Sequence, residues 1–251
     1  MQTYSETTQY IEKLETSLET NLDPAERIKL LSQLINSCLY TEIVKTQYYL
    51  EEQKKLFVLV DNPVYYLQYL LHSAALENNL YNHNFAEAIY QRALALAESQ
   101  LEPVQIIEFY IDYIGTFLNQ HNFAEASSYI AKSRKLLERY PSGRMEAHLL
   151  VREGFLYLHR NNFAKAIEYL NRAESELLSL PQLTIKDKYF LSLVFSGLGT
   201  VYDKTSENKK ATEVYGKVIA LCEESGITTR LAWHYLNLGN CYLNDTQIDK
   251  A

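Results

Sequence analysis

Glycine and proline are scarce in this chain, 8 and 5 among 251 residues. An all-β fold with frequent tight turns, or a nucleotide-binding α/β fold with glycine loops, draws on more of both. Long helices with few sharp turns are what remains. Cysteine is scarce too. Cys38, Cys222 and Cys241 are widely spaced, odd in number and form no C-x-x-C pair. Neither a disulfide framework nor a zinc site is implied, and small apolar packing cysteines of a reduced, cytoplasmic protein fit best. There is no run of ~18 apolar residues to span a membrane. The polar stretch from Met1 to Tyr10 lacks the apolar core of a secretory signal. The longest basic clusters, Arg134-Lys135 and Lys209-Lys210, are too short for a phosphate-backbone partner, and the net charge of −7 points the same way. Nucleic acid is therefore not expected as a partner.

What is present is a globular mixture: 47% hydrophobic, 12% aromatic and 22% charged residues, with no long polar tract. That excludes disorder. The 21 tyrosines suit half-buried positions where the ring packs and the hydroxyl stays wet.

One phrase occurs three times: Asn82-His83-Asn84-Phe85-Ala86-Glu87-Ala88, Gln120-His121-Asn122-Phe123-Ala124-Glu125-Ala126 and Arg160-Asn161-Asn162-Phe163-Ala164-Lys165-Ala166. Aligned by wording, its last alanines lie 38 and 40 residues apart, with fainter copies ending at Ala211 and Ala251. Gly154, Gly199 and Gly239 each stand 12 residues before Ala166, Ala211 and Ala251, inside Leu150-x-x-Glu153-Gly154-x-x-Tyr157, Phe195-x-x-Leu198-Gly199-x-x-Tyr202 and Tyr235-x-x-Leu238-Gly239-x-x-Tyr242. A bare Cα facing an alanine methyl lets two antiparallel helices approach closely. Small or branched residues recur seven positions on, at Ala95, Ser133, Ala173 and Val218, two turns along the same face.

This pattern resembles the tetratricopeptide repeat, a helix–turn–helix unit. The resemblance implies an all-α fold, a right-handed superhelical solenoid of antiparallel helix pairs, over residues 62–251. The first copies depart from the pattern. Leu76 and Ile114 stand where glycine is usual, Gly115 lies one place along, and Arg92 replaces an aromatic. Pro181 marks a longer linker at 180–186. Residues 1–61 read as N-terminal helices, a degenerate repeat or a cap, with Asp23 and Pro24 starting one helix and Val44 in the alanine place of the next. The array stops at the first signature residue of a missing helix, so the expectation is an N-terminal part of a longer protein.

No catalytic or metal motif appears: no H-E-x-x-H, G-x-S-x-G, Walker loop or Cys/His spacing. His83 and His121 fall at equivalent turn positions. No cofactor, metal or catalysis is expected of this chain. The family resemblance offers a concave groove lined by first helices. Groove positions fall three before the glycine site, one after it, and four or five after it. They give His148, Val151, Arg152, Phe155, Leu158 and His159 in the third repeat, Ile111, Leu118 and Asn119 in the second, Ser196, Thr200, Asp203 and Lys204 in the fourth, and Leu236, Asn237, Asn240, Leu243 and Asn244 in the fifth. Amides there suit a peptide backbone. A carboxylate clamp for a chaperone tail finds only Asn240. The chain is similar to the N-terminal repeat regions of bacterial signalling proteins, which precede diguanylate cyclase, histidine kinase or transcription-factor domains. The expected role is non-catalytic binding of a protein or peptide, with a second copy of the chain as another partner. The alternative is a Gram-positive peptide-pheromone receptor or response-regulator phosphatase.

Overall fold

The computed structural model describes residues 4–20 and 22–244, with side chains for 8–20 and 22–243. Twelve helices run through them: α1 Tyr4–Leu18, α2 Pro24–Cys38, α3 Ile43–Leu56, α4 Pro63–Asn79, α5 His83–Gln100, α6 Pro103–Asn119, α7 Phe123–Arg139, α8 Gly143–His159, α9 Phe163–Ser179, α10 Ile185–Lys204, α11 Asn208–Ser225 and α12 Leu231–Asn244. There is no strand among the described residues. Five antiparallel pairs, α2–α3 to α10–α11, stack side by side between α1 and α12. The first helices pack on one another as an inner layer, and the second helices lie outside them. Local chemistry starts the inner helices. Asp23 accepts from the Ala25 and Glu26 amides with Pro24 at the first position. Asn62 and Pro63 do the same for α4, and Thr184 with Asp187 closes a capping box on α10.

The turns within pairs establish the register. Tyr81, His121, Asn161 and Ser206 each adopt a left-handed backbone, with φ of 63°, 59°, 56° and 62°. The next amide then reaches back five residues: Asn82 to Glu77, Asn122 to Phe117, Asn162 to Tyr157 and Glu207 to Tyr202. The residue four after each of these amides is a fully buried alanine: Ala86, Ala126, Ala166 and Ala211. The repeated phrase therefore misleads in its first copy. Ala88 and Ala95 are exposed, whereas Ala86 and Ala93 are buried. Tyr81, not His83, is the counterpart of His121. The true spacings are 40, 40 and 45, the last stretched by the linker that joins α9 to α10. Arg92 explains the shift. In the phrase's register it would enter the core; instead its guanidinium donates to the Tyr66 hydroxyl, and Tyr90 takes the aromatic place, fully buried.

With the register corrected, Ala74 rather than Leu76 occupies the glycine site of α4, and it too is fully buried. The glycines do not face the alanines. A methyl added at Gly154 would strike Leu170, and one at Gly199 would strike the Tyr215 ring, both within 3 Å. Each glycine makes room for the large residue four after the alanine. The same 40-residue step carries into the N-terminal pair, where Thr46 and Gln53 hold the small-residue places and are fully buried. Val44, expected there, is 79% exposed. Gln53 Nε2 donates to the Ile28 carbonyl and the Ser32 hydroxyl, which offsets part of the cost of a polar residue there, while its buried Oε1 has no partner among the described residues.

The stack curls until its ends touch. The Thr228 amide donates to the Tyr40 carbonyl at 3.1 Å, and the Thr228 hydroxyl donates to the Thr41 carbonyl at 3.0 Å. Tyr40 stacks on Tyr189 with ring centroids 4.3 Å apart. One core cluster joins Leu34, Ile35 and Tyr40 to Ala211, Val218, Cys222 and Ile227. Cys38, Cys222 and Cys241 are buried and unpaired. No helix among the described residues is long and apolar enough to cross a membrane. Ala251 and the fifth turn lie outside the described residues.

Candidate functional site

The inner helices surround a lumen with two chambers. The upper one, about 230 Å³, lies where α4, α6 and α8 end. The lower one, about 640 Å³, lies where α6, α8 and α10 begin. An open groove of about 790 Å³ over the α4–α5 turn continues the upper chamber outward and shares Tyr81, His83 and Asn119 with it.

Repeat geometry builds the upper chamber. The positions one, four and five after the glycine site supply Asn78 and Asn79 from α4, Gly115, Leu118 and Asn119 from α6, and Phe155, Leu158 and His159 from α8. From α10 come Ser196 and Thr200 at the positions three before and one after, with Leu193 and Tyr189. Arg230 and Trp233, at the start of α12, complete the wall. Asn78 donates to the Thr116 hydroxyl at 2.8 Å, and Asn79 donates to the Leu39 carbonyl at 2.9 Å, so these amides are held in place. Arg152 Nε donates to the Ile111 carbonyl at 3.0 Å and its guanidinium lies 4.8 Å from the Phe190 ring centre. That guanidinium sits against Gly115, where a methyl would meet it at 2.8 Å. Gly115 thus serves as the seat of Arg152.

Electrostatics separate the chambers. The upper lining holds Arg152 and Arg230 and no aspartate or glutamate. Among the described residues, neither arginine has a carboxylate within ion-pair distance, and the buried Nε of Arg230 has no hydrogen-bond partner. Burial, then His121 and the cations Lys204 and Arg230, hold His159 below its ordinary pKa. Burial and Arg230 do the same for His83. In the lower chamber every cation is answered. Lys186 donates to Glu108 at 2.8 Å and Asp112 at 2.6 Å, and Arg144 lies 3.1 Å from Asp187. Burial alone would depress the Lys186 ammonium, but Asp112 and Glu108 outweigh it and hold it well above its usual value.

Of the expected groove residues, Leu118, Asn119, Arg152, Phe155, Leu158, His159, Ser196 and Thr200 line the upper chamber together. Thr200 spends its hydroxyl on the Ser196 carbonyl and meets the Tyr215 hydroxyl at 3.3 Å. The others fall elsewhere. Val151, like Ile111, is fully buried, because the position three before the glycine site packs between inner helices. His148 is 1% exposed; it edges the lower chamber, bonds Asp187 at 2.9 Å and stacks on Phe190 at 3.9 Å. Lys204 is exposed beyond the wall at the end of α10. Asn237 and Asn240 miss the lumen because α12 approaches it by its first turn only. The side chain of Asn244 lies outside the described residues. The spacing rule misses Asn78 and Asn79 solely through the two-residue slip; Arg230 and Trp233 lie in a connection that no repeat pattern covers.

These features define a tetratricopeptide-type helical repeat protein, a right-handed superhelical solenoid enclosing a lumen. No family model matches the chain, and no curated protein matches it in sequence. Solved structures do match its fold. NprR in complex with its cognate peptide NprX superposes with a TM-score of 0.68 at 13% identity, covering 98% of this chain and 69% of that one. A Rap protein complexed with competence and sporulation factor gives 0.74 at 13%, covering 98% and 67%. The apo form of the quorum sensor NprR from B. thuringiensis gives 0.59 at 14%, covering 98% and 67%.

Proposed function

We propose that this chain is a peptide-binding regulatory module without catalysis of its own. An extended peptide enters along the groove over the α4–α5 turn and lodges in the upper chamber. The chain then acts as the sensory part of a bacterial signal-transduction protein. The observation that carries this reading is the wall itself. Three successive inner helices present the same two positions to one chamber, as Asn78-Asn79, Leu118-Asn119 and Leu158-His159. Amide and imidazole groups beside an apolar floor of Leu118, Phe155, Leu158 and Trp233 suit a peptide backbone with apolar side chains.

Two further points support it. Both peptide-bound neighbours superpose better than apo NprR does, in keeping with the closed curl made by Thr228 on Tyr40 and Thr41. The likeness to these two peptide-bound structures supports the alternative of a peptide-pheromone receptor. Ser196 and Thr200, the two aliphatic hydroxyls of the chamber, have no histidine or carboxylate partner among the described residues, which supports a binding role. Trp233 is the sole tryptophan of the chain and lines the chamber, so its fluorescence reports occupancy. Titration with mixed hexapeptide pools should change its emission saturably. Asn119→Ala with Phe155→Ala should weaken that response by roughly 30-fold or more while helix content is kept. A flat response to every pool would overturn the reading.

A further inference from the structure

The upper chamber contains two arginines that no carboxylate among the described residues neutralises, in a chain whose net charge is −7. That combination does not arise from a general excess of cations. Elsewhere the chain pairs what it buries: Arg134 with Glu146 and Glu153, Arg144 with Asp187, Lys186 with Glu108 and Asp112. Arg152 and Arg230 approach the same space from opposite walls, α8 and the start of α12. Each is partly buried, so each has given up water without gaining a counter-charge. Arg152 is also pre-set. Its Nε is tied to the Ile111 carbonyl, Gly115 leaves the room its guanidinium occupies, and both terminal nitrogens are left without a carboxylate. Arg230 is held in a left-handed backbone, φ 66°, unfavourable for its residue type, at the turn that leads into α12, and it lines the wall. His83 and His159 add donors at the rim.

Resting on the peptide-binding reading above, we propose that the upper chamber selects a peptide that places a carboxylate between Arg152 and Arg230. A planar guanidinium binds a carboxylate through two parallel hydrogen bonds, and a neutral amide or an amine gains no such pairing. A lysine-bearing peptide would add a third cation to a lining that has no acid. The carboxylate comes from an acidic side chain or from the peptide's free C-terminus. The chamber, at about 230 Å³, takes the end of a peptide rather than its whole length.

The test uses the whole chain and Trp233 emission, with hexapeptide pools acetylated at the N-terminus. Three amidated pools fix aspartate, asparagine or lysine at each position in turn, and a fourth fixes asparagine but keeps a free C-terminus. The expected result is binding of the aspartate or the free-carboxylate pool at least about 10-fold tighter than the amidated asparagine pool, with lysine weakest. Which of the two acidic pools wins identifies the source of the carboxylate. Arg230→Gln and Arg152→Gln should each remove that preference, and Arg152→Lys should restore part of it. Thermal melts of each variant show that the fold persists, and Arg230→Gln, in a connection between helices, provides the readout if Arg152→Gln fails to fold. Equal binding of all four pools, the free-carboxylate pool included, would overturn carboxylate selection and leave peptide binding standing. Binding by no pool would overturn both.

Discussion

The two chambers of the lumen are built from the same four inner helices and treat charge in opposite ways. Below, Lys186, Arg144, Glu108, Asp112 and Asp187 form closed pairs across α6, α8 and α10. The two Lys186 pairs bridge residues more than 70 positions apart in the chain, so they hold the curl of the solenoid. Above, Arg152 and Arg230 are left open. A self-satisfied network contributes to the shape of the protein and offers little to a ligand. An unsatisfied one costs stability and gains only when a partner arrives. On the proposed reading, the lower chamber is architecture and the upper chamber is the binding site.

The largest effect expected is in the first turn of α12, buried behind the chamber-lining Trp233. His234, next to Trp233, is 1% exposed, neither ring nitrogen has a partner, and burial with Arg230 pushes its pKa down to about 4. The unfolded chain binds its proton near pH 6.5, so folding favours the neutral ring. The contribution is fully present above pH 6.5 and is lost as pH falls toward 4, a change of about 3 kcal/mol. Urea unfolding from pH 7 to 4.5 should show this slope, and His234→Leu should reduce it, the part that remains coming chiefly from His72, whose pKa burial also pushes down to about 4. An unchanged slope in His234→Leu would place the acid sensitivity elsewhere.

A smaller effect separates the chambers directly. Lys186→Met leaves Glu108 and Asp112 facing each other without a cation. Their side chains are 42% and 25% exposed, so water offsets part of the cost, and about 2 kcal/mol should be lost. Arg230→Gln abandons no carboxylate and should cost under about 0.5 kcal/mol. Equal losses in the two variants, measured by urea midpoints, would erase the distinction between architecture and site.

The smallest change in stability falls at Gly115. An added methyl there meets only the far end of the Arg152 side chain, which can swing away. Gly115→Ala should leave stability within about 0.5 kcal/mol yet weaken ligand binding by roughly 10-fold by unseating Arg152. Gly199→Ala is the contrasting case. Its methyl meets the buried Tyr215 ring, which cannot withdraw, and roughly 1–3 kcal/mol should be lost. Circular dichroism melts and Trp233 titrations on the two variants give both numbers.

How much of this was legible beforehand depended on which signal was read. Helix pairs, turn sites and the buried places of Ala166 and Ala211 followed from Gly154, Gly199 and their 12-residue spacing, because close packing leaves few residue types at those places. The first repeat was misplaced by two residues because its wording contains two asparagines, Asn82 and Asn84, either of which suits a helix start. Arg92 at an aromatic site was the physical warning. Burial chooses the register, and a guanidinium cannot replace a buried ring. The groove rule located Leu118, Asn119, Phe155 and His159 in the chamber wall, and with the corrected register it reaches Asn78 and Asn79. It misplaced Val151 and His148 because the inner helices touch along that face. Arg230 and Trp233 were invisible to periodicity, since they reach the lumen only when the chain curls back on Tyr40.

The most direct measurement compares side-chain amides in the two chambers by nuclear magnetic resonance during titration with the acidic hexapeptide pool. Asn79 and Asn119 line the upper chamber, and Gln68 and Gln105 line the lower one. The account predicts that the Asn79, Asn119 and Trp233 signals move together and saturate while those of Gln68 and Gln105 stay still. Movement of Gln68 and Gln105 with Asn79 and Asn119 unchanged would contradict it.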